Sequence, residues 1–331
     1  MFVQKRFDLK FILLLVFLML PLSSFADYSK HENALKLINE MVNEYGFDRE
    51  YLSKLFSKAE RKESILEAIA RPAEKRLEWF EYRRIFITND RVEKGREFIR
   101  QHHEALIRAE EKFGVPKELI TAIIGVETRY GKNKGSYRVL DALTTLGFDY
   151  PPRSKFFSSE LKQALLLAKE QGFDIFEMKG SYAGAMGYGQ FIPSSYRHYA
   201  IDFDGDQVAD ILTNVFDAIG SVANYFKLHH WQKGQPVAYL INEKELGSNY
   251  QDFLDKDLKP VNNIESMKKS GMVVPAHLNN NDVGKIQNFV LETGEENWLT
   301  LHNFYVITRY NHSHLYAMAV YQLARELGYS E

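Results

Sequence analysis

Residues 116–130 read PKELITAIIGVETRY, an apolar segment that ends in a carboxylate. Ile120, Ile123 and Ile124 recur at helical spacing and mark one buried face. Glu127 follows Ile123 by one helical turn, so it lies on the same face. An acid on an apolar face must be paired, neutralised or functional. The segment therefore predicts a buried helix that carries an acid near its carboxyl end, closed by the glycine that follows.

The position of Glu127 predicts a raised pKa. The dipole near a helix carboxyl end disfavours negative charge, and partial burial disfavours the charged form as well. A carboxyl group that is protonated near neutral pH is what a general acid for glycosidic cleavage requires. The alternative is a buried salt bridge to Arg129 or to another arginine.

Composition limits the class of protein. The 331 residues suggest about two domains, and 45% hydrophobic with 26% charged residues is ordinary for a soluble globular protein. A net charge of −2 offers no global reason to bind nucleic acid, which we do not expect as a partner. Because the sequence has no cysteine, disulfides, thiolate metal sites and Cys-linked lipid anchors are excluded.

Residues 1–26 have the layout of an export signal. Basic residues lie between positions 5 and 10, an apolar run covers 11–20, and small residues at Ser24 and Ala26 predict a cleavage site. The run is shorter than the roughly 20 residues of a membrane-spanning helix, so we expect no stable membrane span after cleavage. An uncleaved anchor or a buried helix is the alternative. Export of a cysteine-free protein favours a bacterial periplasm.

Changes in composition predict a mainly α, α+β protein. Residues 27–111 alternate charged and apolar residues at helical spacing and predict an N-terminal helical domain. Residues 112–233 and 300–331 form the predicted core, which includes a buried helix at 217–228. Short apolar stretches between Asn, Asp, Lys and Gly favour a small β-rich module at 234–299. A final helix is expected after Ser313, a typical N-cap residue.

Residues 183–193 read AGAMGYGQFIP and form a candidate sugar-binding loop. The glycines let the backbone approach a ligand closely. Gln190 can hydrogen-bond an acetamido or hydroxyl group, and Phe191 can stack on a pyranose ring. The alternative is a glycine-rich turn before a helix that begins at Pro193.

Residues 202–213 begin like an EF-hand calcium loop. The predicted ligands at loop positions 1, 3, 5, 7 and 9 are Asp202, Asp204, Asp206, the Val208 carbonyl and Asp210. Position 6 is Gln207 rather than glycine, and position 12 is Thr213 rather than a bidentate glutamate. The pattern predicts a weak structural Ca²⁺ site with a Kd of about 10⁻⁴ to 10⁻³ M. An acidic surface turn is the alternative.

Four motifs resemble those of the membrane-bound lytic murein transglycosylase B family. They are GVETRYG at 125–131, GAMGYGQF at 184–191, DAIGSVANYF at 217–226 and TRYNHS at 308–313. They occur in the family's order, and the match runs from about Trp79 to the carboxyl terminus. The resemblance implies a lysozyme-like catalytic core with an N-terminal helical domain and a small inserted β-rich module.

The resemblance also implies an activity. Family members cleave the β-1,4 bond between N-acetylmuramic acid and N-acetylglucosamine in peptidoglycan and leave 1,6-anhydromuramyl ends. Glu127 would be the single acid and then base, and the chemistry would need no cofactor. Arg153 is a candidate contact, although Pro152 stands where some relatives carry a second arginine. The motifs imply that groups orienting the saccharide and its N-acetyl group are Ser181, Gln190, Tyr225, Tyr310, Asn311 and Tyr316.

Two other functions remain open at this point. A muramidase-type hydrolase of the same bond would need a second carboxylate or a held water near Glu127. A non-catalytic peptidoglycan-binding protein would have no use for a half-buried acid. Relatives can be lipoproteins, but a chain without cysteine is expected to be a soluble periplasmic form. Its expected partners are peptidoglycan glycan strands, with other cell-wall enzymes as further candidates.

Overall fold

A computed structural model describes residues 27–70, 77–254 and 257–330. These residues are mostly helical, with two small antiparallel sheets, which confirms the predicted fold class. The predicted export signal at 1–26 lies outside the described residues. Within the described ranges, no helix combines the length and the apolar character that crossing a membrane requires.

Helices that each bury one face make up the amino-terminal part. They are α1 (Glu32–Tyr45), α2 (Arg49–Ser57), α3 (Glu63–Ala70), α4 (Trp79–Phe86), α5 (Asn89–Gln101) and α6 (His103–Phe113). Helix α5 begins at a Thr88 cap, whose hydroxyl accepts a hydrogen bond from the backbone nitrogen of Arg91. The buried apolar residues of these helices belong to the same hydrophobic cluster as the buried apolar residues at 115–231 and 304–327. The predicted domain boundary after Glu111 therefore stays a prediction.

Helix α7 (Lys117–Thr128) is the helix that the sequence predicted at 116–130. All of its residues are buried except Lys117 and Glu127. It ends earlier than predicted because Arg129 and Tyr130 both adopt the left-handed conformation, with φ of 50° and 60°. The turn that the sequence assigned to the following glycine thus begins at two residues with side chains.

Helices continue through the rest of the chain. They are α8 (Val139–Asp149), α9 (Ser154–Gln171), α10 (Pro193–Tyr199), α11 (Val215–Leu228), α12 (Ile264–Lys269), α13 (His302–Tyr310) and α14 (His314–Glu326). Helix α7 packs against α5, α6, α11 and α14. The buried helix predicted at 217–228 is confirmed as α11, which Asn214 caps. Ser313 caps α14 as predicted and accepts a hydrogen bond from the backbone nitrogen of Tyr316.

The strands form two antiparallel sheets in the described part of the chain. The short pair is β1 (Tyr137–Arg138) with β2 (Lys179–Gly180). The larger sheet has the order β3-β6-β5-β4 and consists of β3 (Ala238–Ile241), β4 (Asn262–Asn263), β5 (Val283–Val290) and β6 (Glu295–Thr300). A second hydrophobic cluster lies in this region. This sheet falls in and next to the predicted β-rich module at 234–299, whose exact bounds stay a prediction.

Candidate active site

Glu127 lies in the last turn of α7, enclosed by protein but with part of its side chain accessible. The Tyr316 hydroxyl donates a hydrogen bond of 2.6 Å to its Oε1. Burial raises the pKa of Glu127 to about 7, and the Tyr316 hydrogen bond opposes part of that rise. No salt bridge joins Glu127 to any residue in the described ranges, so those residues do not support the alternative of a buried ion pair. Among the described residues, no second carboxylate contributes to the pKa shift of Glu127.

The end of α7 is tied to the glycine-rich loop. The Thr128 hydroxyl is within donating distance, 3.0 Å, of both the Ile124 and the Tyr188 carbonyls, and it accepts a hydrogen bond from the Gly131 nitrogen at 2.9 Å. Left-handed conformations at non-glycine residues such as Arg129 and Tyr130 cost about 1–3 kcal/mol each. The surrounding contacts therefore hold a strained backbone that begins two residues after the acid.

Three predicted tyrosines come together beside Glu127. The Tyr310 and Tyr316 rings are nearly parallel, with centroids 6.5 Å apart, and Tyr225 lies 4.7 Å from Tyr310. The Tyr310 hydroxyl donates to the Gly189 carbonyl at 2.6 Å. Burial and the charge of Glu127 raise the pKa of both Tyr310 and Tyr316 well above the usual range. These phenols are neutral hydrogen-bond donors at any physiological pH.

Phe191 and Gln190 continue from the glycine-rich loop toward these tyrosines. Phe191 is only 3% exposed and packs 5.8 Å from the Tyr310 ring. It supports the tyrosines rather than presenting a free face, so its predicted stacking on a sugar stays a prediction. Gln190 has a φ of 51°, and its Nε2 donates to the carbonyls of Gly187 and Lys134 at 3.0 and 3.2 Å. Its Oε1 accepts no hydrogen bond from residues that the structure describes.

The other predicted substrate contacts differ in their surroundings. The Ser181 hydroxyl accepts hydrogen bonds from the backbone nitrogens of Ala183 and Ala185, so it shapes the loop. Asn311 is exposed immediately after α13. Arg153 is also exposed, and its guanidinium lies 4.4 Å from the centroid of the Phe156 ring. The roles of these three residues in binding stay predictions.

Tyr82 of α4 is a site residue that the sequence analysis missed. Burial, with a contribution from the charge of Glu127, raises the pKa of Tyr82 to about 12. The hydroxyl is therefore within electrostatic reach of the acid. Nothing in the local sequence marks Tyr82, since it lies on a separate helix outside the four motifs.

The acidic loop, residues 202–214, brings three predicted ligands together with a fourth carboxylate. Oxygen atoms of Asp202, Asp204, Asp206 and Asp217 all lie within 4.8 Å of one another. Asp217 is fully buried, and it accepts hydrogen bonds from the backbone nitrogens of Phe203 and Asp210. It lies beyond the twelve positions of the EF-hand pattern, which is why the motif count missed it.

Three other positions of the acidic loop bear on the predicted calcium ligands. The Asp210 side chain is not part of the carboxylate group; it accepts hydrogen bonds from the backbone nitrogens of Leu212 and Thr213. The predicted Val208 carbonyl already accepts a hydrogen bond from the Asp210 nitrogen. Gln207 has a φ of 77°, so it makes the turn for which an EF-hand normally uses glycine.

The donor set of the acidic loop fits a hard divalent cation. Four carboxylates converge, one of them fully buried, and no salt bridge to them exists within the described ranges. Oxygen donors of this kind suit Ca²⁺.

Comparison with known proteins agrees with the fold and identifies the family. The model of the Transglycosylase SLT domain matches residues 29–325. The chain is 44% identical over 308 residues to membrane-bound lytic murein transglycosylase B of Escherichia coli (strain K12), covering 90% of this chain and 83% of that protein. These two matches confirm the resemblance that the four motifs predicted.

Solved structures show the same relationship. Catenated lytic transglycosylase SltB1 from Pseudomonas aeruginosa is 48% identical, with a TM-score of 0.86 over 91% of this chain and 98% of that one. The Escherichia coli lytic transglycosylase Slt35 in complex with calcium is 44% identical, with a TM-score of 0.82 over 91% and 94% of the two chains. With a family model that spans nearly the whole described sequence and relatives this similar, the chain belongs to the Transglycosylase SLT domain family of lytic transglycosylases.

Proposed function

We propose that this enzyme cleaves the β-1,4 bond between N-acetylmuramic acid and N-acetylglucosamine in peptidoglycan, with Glu127 as its single acid and base. The observation that carries the proposal is a partly accessible carboxyl group, without an ion pair in the described part of the chain, whose pKa burial raises to about 7. The name of the murein transglycosylase relative supports the substrate class.

Glu127 begins the reaction protonated. It gives its proton to the glycosidic oxygen as the bond from that oxygen to the muramyl anomeric carbon breaks. The N-acetyl group of the muramyl residue stabilises the oxocarbenium-like centre. Glu127, now a carboxylate, takes the proton of the C6 hydroxyl while that oxygen bonds to the anomeric carbon. The product is a 1,6-anhydromuramyl end, no water is consumed, and Glu127 is protonated again.

Tyr316 is suited to support both roles of Glu127. Its hydrogen bond stabilises the carboxylate that exists between the two proton transfers, because a neutral phenol donates to a charged acceptor. Burial destabilises the same carboxylate. The balance leaves a pKa close to neutrality, where one group can both release and recover a proton efficiently.

The saccharide is proposed to bind along the tyrosines and the glycine-rich loop. Tyr225, Tyr310 and Tyr316 supply aromatic surface and phenol groups near the acid. The Gln190 Oε1 can accept a hydrogen bond from an acetamido nitrogen. We expect Asn311, Ser181 and Arg153 to contact the saccharide farther from the acid. Phe191 packs behind the tyrosines.

The product distinguishes this proposal from a muramidase. Hydrolysis would use a second carboxylate to activate water, and among the described residues no carboxylate shifts the pKa of Glu127. Purified sacculi would be digested in ¹⁸O water and the fragments analysed by mass spectrometry. We expect anhydromuramyl ends without ¹⁸O. Substantial ¹⁸O at muramyl reducing ends would overturn the transglycosylase assignment in favour of the muramidase.

The acidic loop is proposed to hold a structural Ca²⁺ with Asp202, Asp204, Asp206 and Asp217, and with the Val208 carbonyl. The four converging carboxylates and the calcium complex of the Escherichia coli relative support this. The ion would bind the loop to the start of α11 and take no part in proton transfer.

We further propose that the mature enzyme is periplasmic. The layout of residues 1–26 and the absence of cysteine support export without lipid attachment. Peptidoglycan strands in that compartment would be its main partner.

A further inference from the structure

Arg91 of α5 is a buried arginine without an acidic partner among the described residues. It is 5% exposed, and no carboxylate in those ranges lies within salt-bridge distance of it. Its Nη1 instead donates a hydrogen bond of 3.1 Å to the Gly125 carbonyl in the last turn of α7. A buried cation with such a partner requires a reason, since desolvating a charge is costly.

The contact is reciprocal. The Tyr130 hydroxyl, from the left-handed turn after α7, donates to the Arg91 carbonyl at 2.8 Å. Glycines on both helices make room for the Tyr130 ring: a Cβ at Gly95 would lie 2.5 Å from its hydroxyl oxygen, and one at Gly125 would lie 2.7 Å from its ring. Two side-chain bonds and two glycines thus fix the end of α7 against α5.

Arg91 also contacts an aromatic side chain of α4. Its guanidinium lies 5.1 Å from the Phe86 ring centroid, and the Phe86 ring lies 4.9 Å from that of Tyr82. The cation therefore contacts the carbonyl end of the helix that carries the acid, and it contacts Phe86, whose ring packs on that of Tyr82. The carbonyls at a helix carboxyl end carry partial negative charge, which a cation stabilises.

We propose that Arg91 is a positioning residue for the reaction: it holds the last turn of α7 so that Glu127 stays in place and shielded from water. This inference rests on the proposed function of Glu127. Loosening the turn would misplace the acid and admit water to it. Because burial is the main cause of its raised pKa, added water would lower that pKa.

The test compares Arg91→Met with Arg91→Lys and with Arg100→Met, a matched change at an exposed arginine of the same helix. The assay measures kcat, KM and the pH profile on soluble peptidoglycan glycan fragments. For Arg91→Met we expect kcat to fall about 10-fold or more with KM changed less than about threefold, since small misplacements of a catalytic group are costly. The alkaline limit of activity should move to lower pH. Arg91→Lys should recover much of the loss because one N–H donor can still reach the carbonyl, and Arg100→Met should behave as wild type.

Several outcomes would overturn the proposal. Wild-type turnover in Arg91→Met would do so, and so would a lower melting temperature with an unmoved alkaline limit. If Arg91→Met does not fold, Tyr130→Phe removes the reciprocal bond alone, and it should shift kcat and the alkaline limit in the same directions by smaller amounts. Glu127→Gln in the same assay distinguishes failure of the proposed function from failure of the role of Arg91. An active Glu127→Gln would overturn the proposed function. An inactive Glu127→Gln beside an Arg91→Met with normal activity would overturn only the role of Arg91.

Discussion

The carboxyl end of α7 and the acidic loop each keep a carboxylate away from bulk water, but they surround it differently. Asp217 accepts hydrogen bonds from the backbone nitrogens of Phe203, Asp204 and Asp210. From the residues that the structure describes, Glu127 accepts one hydrogen bond, from the Tyr316 hydroxyl. Burial raises the pKa of both groups, but three backbone donors oppose the rise at Asp217 and one side-chain donor opposes it at Glu127.

The difference shows how one residue class serves two purposes. A carboxylate with several backbone donors stays charged and has its geometry fixed, which suits binding a cation. A carboxylate with one donor can change protonation state at little cost near neutral pH, which suits acid and base catalysis. The number and type of donors, rather than burial alone, separate the two sites.

The largest expected effect comes from removing the proton of Glu127. Glu127→Gln keeps the shape of the side chain but cannot give up and recover a proton. Turnover of purified sacculi should fall by at least about 10²- to 10⁴-fold, the range attributed to general acid–base catalysis. Turnover is measured by release of soluble fragments, and binding to sacculi should persist. A variant that turns over like wild type would remove Glu127 from the mechanism.

The same substitution should increase the free energy of unfolding relative to wild type as pH rises from 5 to about 8. The folded pKa of about 7 lies above the ordinary 4.5, so ionisation of Glu127 opposes folding. The favourable contribution of the protonated Glu127 to folding is complete below about pH 4.5 and is lost as pH rises through 7. That difference corresponds to about 3 kcal/mol at most. Urea unfolding should show Glu127→Gln gaining stability over wild type between pH 5 and about 8, and a constant difference across this range would contradict the raised pKa.

Sequence reasoning found the parts of the site that local pattern encodes. Helical periodicity identified α7 and α11, and the spacing of Glu127 on the apolar face of α7 predicted its raised pKa. The tyrosines beside it came from the family motifs, because a tyrosine in a sequence carries no sign of whether it faces a site or the core.

The missed residues depend on tertiary contacts. Tyr82 and Arg91 reach the site from α4 and α5 through packing that no local pattern records. Asp217 joins the acidic loop from the next helix, beyond the end of the EF-hand pattern. The early end of α7 was missed because Arg129 and Tyr130 occupy a conformation for which glycine is the usual residue.

Tyr316→Phe should sharpen the comparison between the two carboxylates by removing the tyrosine hydrogen bond that Glu127 accepts. A hydrogen bond to a charged group contributes about 1.5–3 kcal/mol, which corresponds to roughly one to two pKa units. The Tyr316 bond lowers the pKa of Glu127, so its loss should raise that pKa. The first step requires the protonated acid, and the alkaline limit of kcat should therefore move to higher pH. Tyr225→Phe is the matched control, because its hydroxyl donates to the Arg309 carbonyl instead. An unchanged limit in Tyr316→Phe would show that the bond does not tune the acid.

The smallest expected effect concerns the acidic loop and is seen in stability. A ligand that binds only the folded state stabilises it by RT ln(1 + [L]/Kd), about 1.4–2.7 kcal/mol at 10 mM Ca²⁺ if Kd is about 10⁻³ to 10⁻⁴ M. Scanning calorimetry should show that Ca²⁺ raises the melting temperature of wild type and that Asp204→Ala abolishes the rise. Asp210→Asn tests the structure against the EF-hand pattern: its carboxylate lies outside the group of four, so the calcium-dependent rise should persist even if the variant melts at a lower temperature. Glu127→Gln should keep the calcium-dependent rise as well, because Glu127 is not one of the four carboxylates that converge at the acidic loop. A melting temperature that does not respond to Ca²⁺ in wild type would leave the acidic loop as a surface turn, and loss of the rise in Asp210→Asn would return that residue to the ligand set.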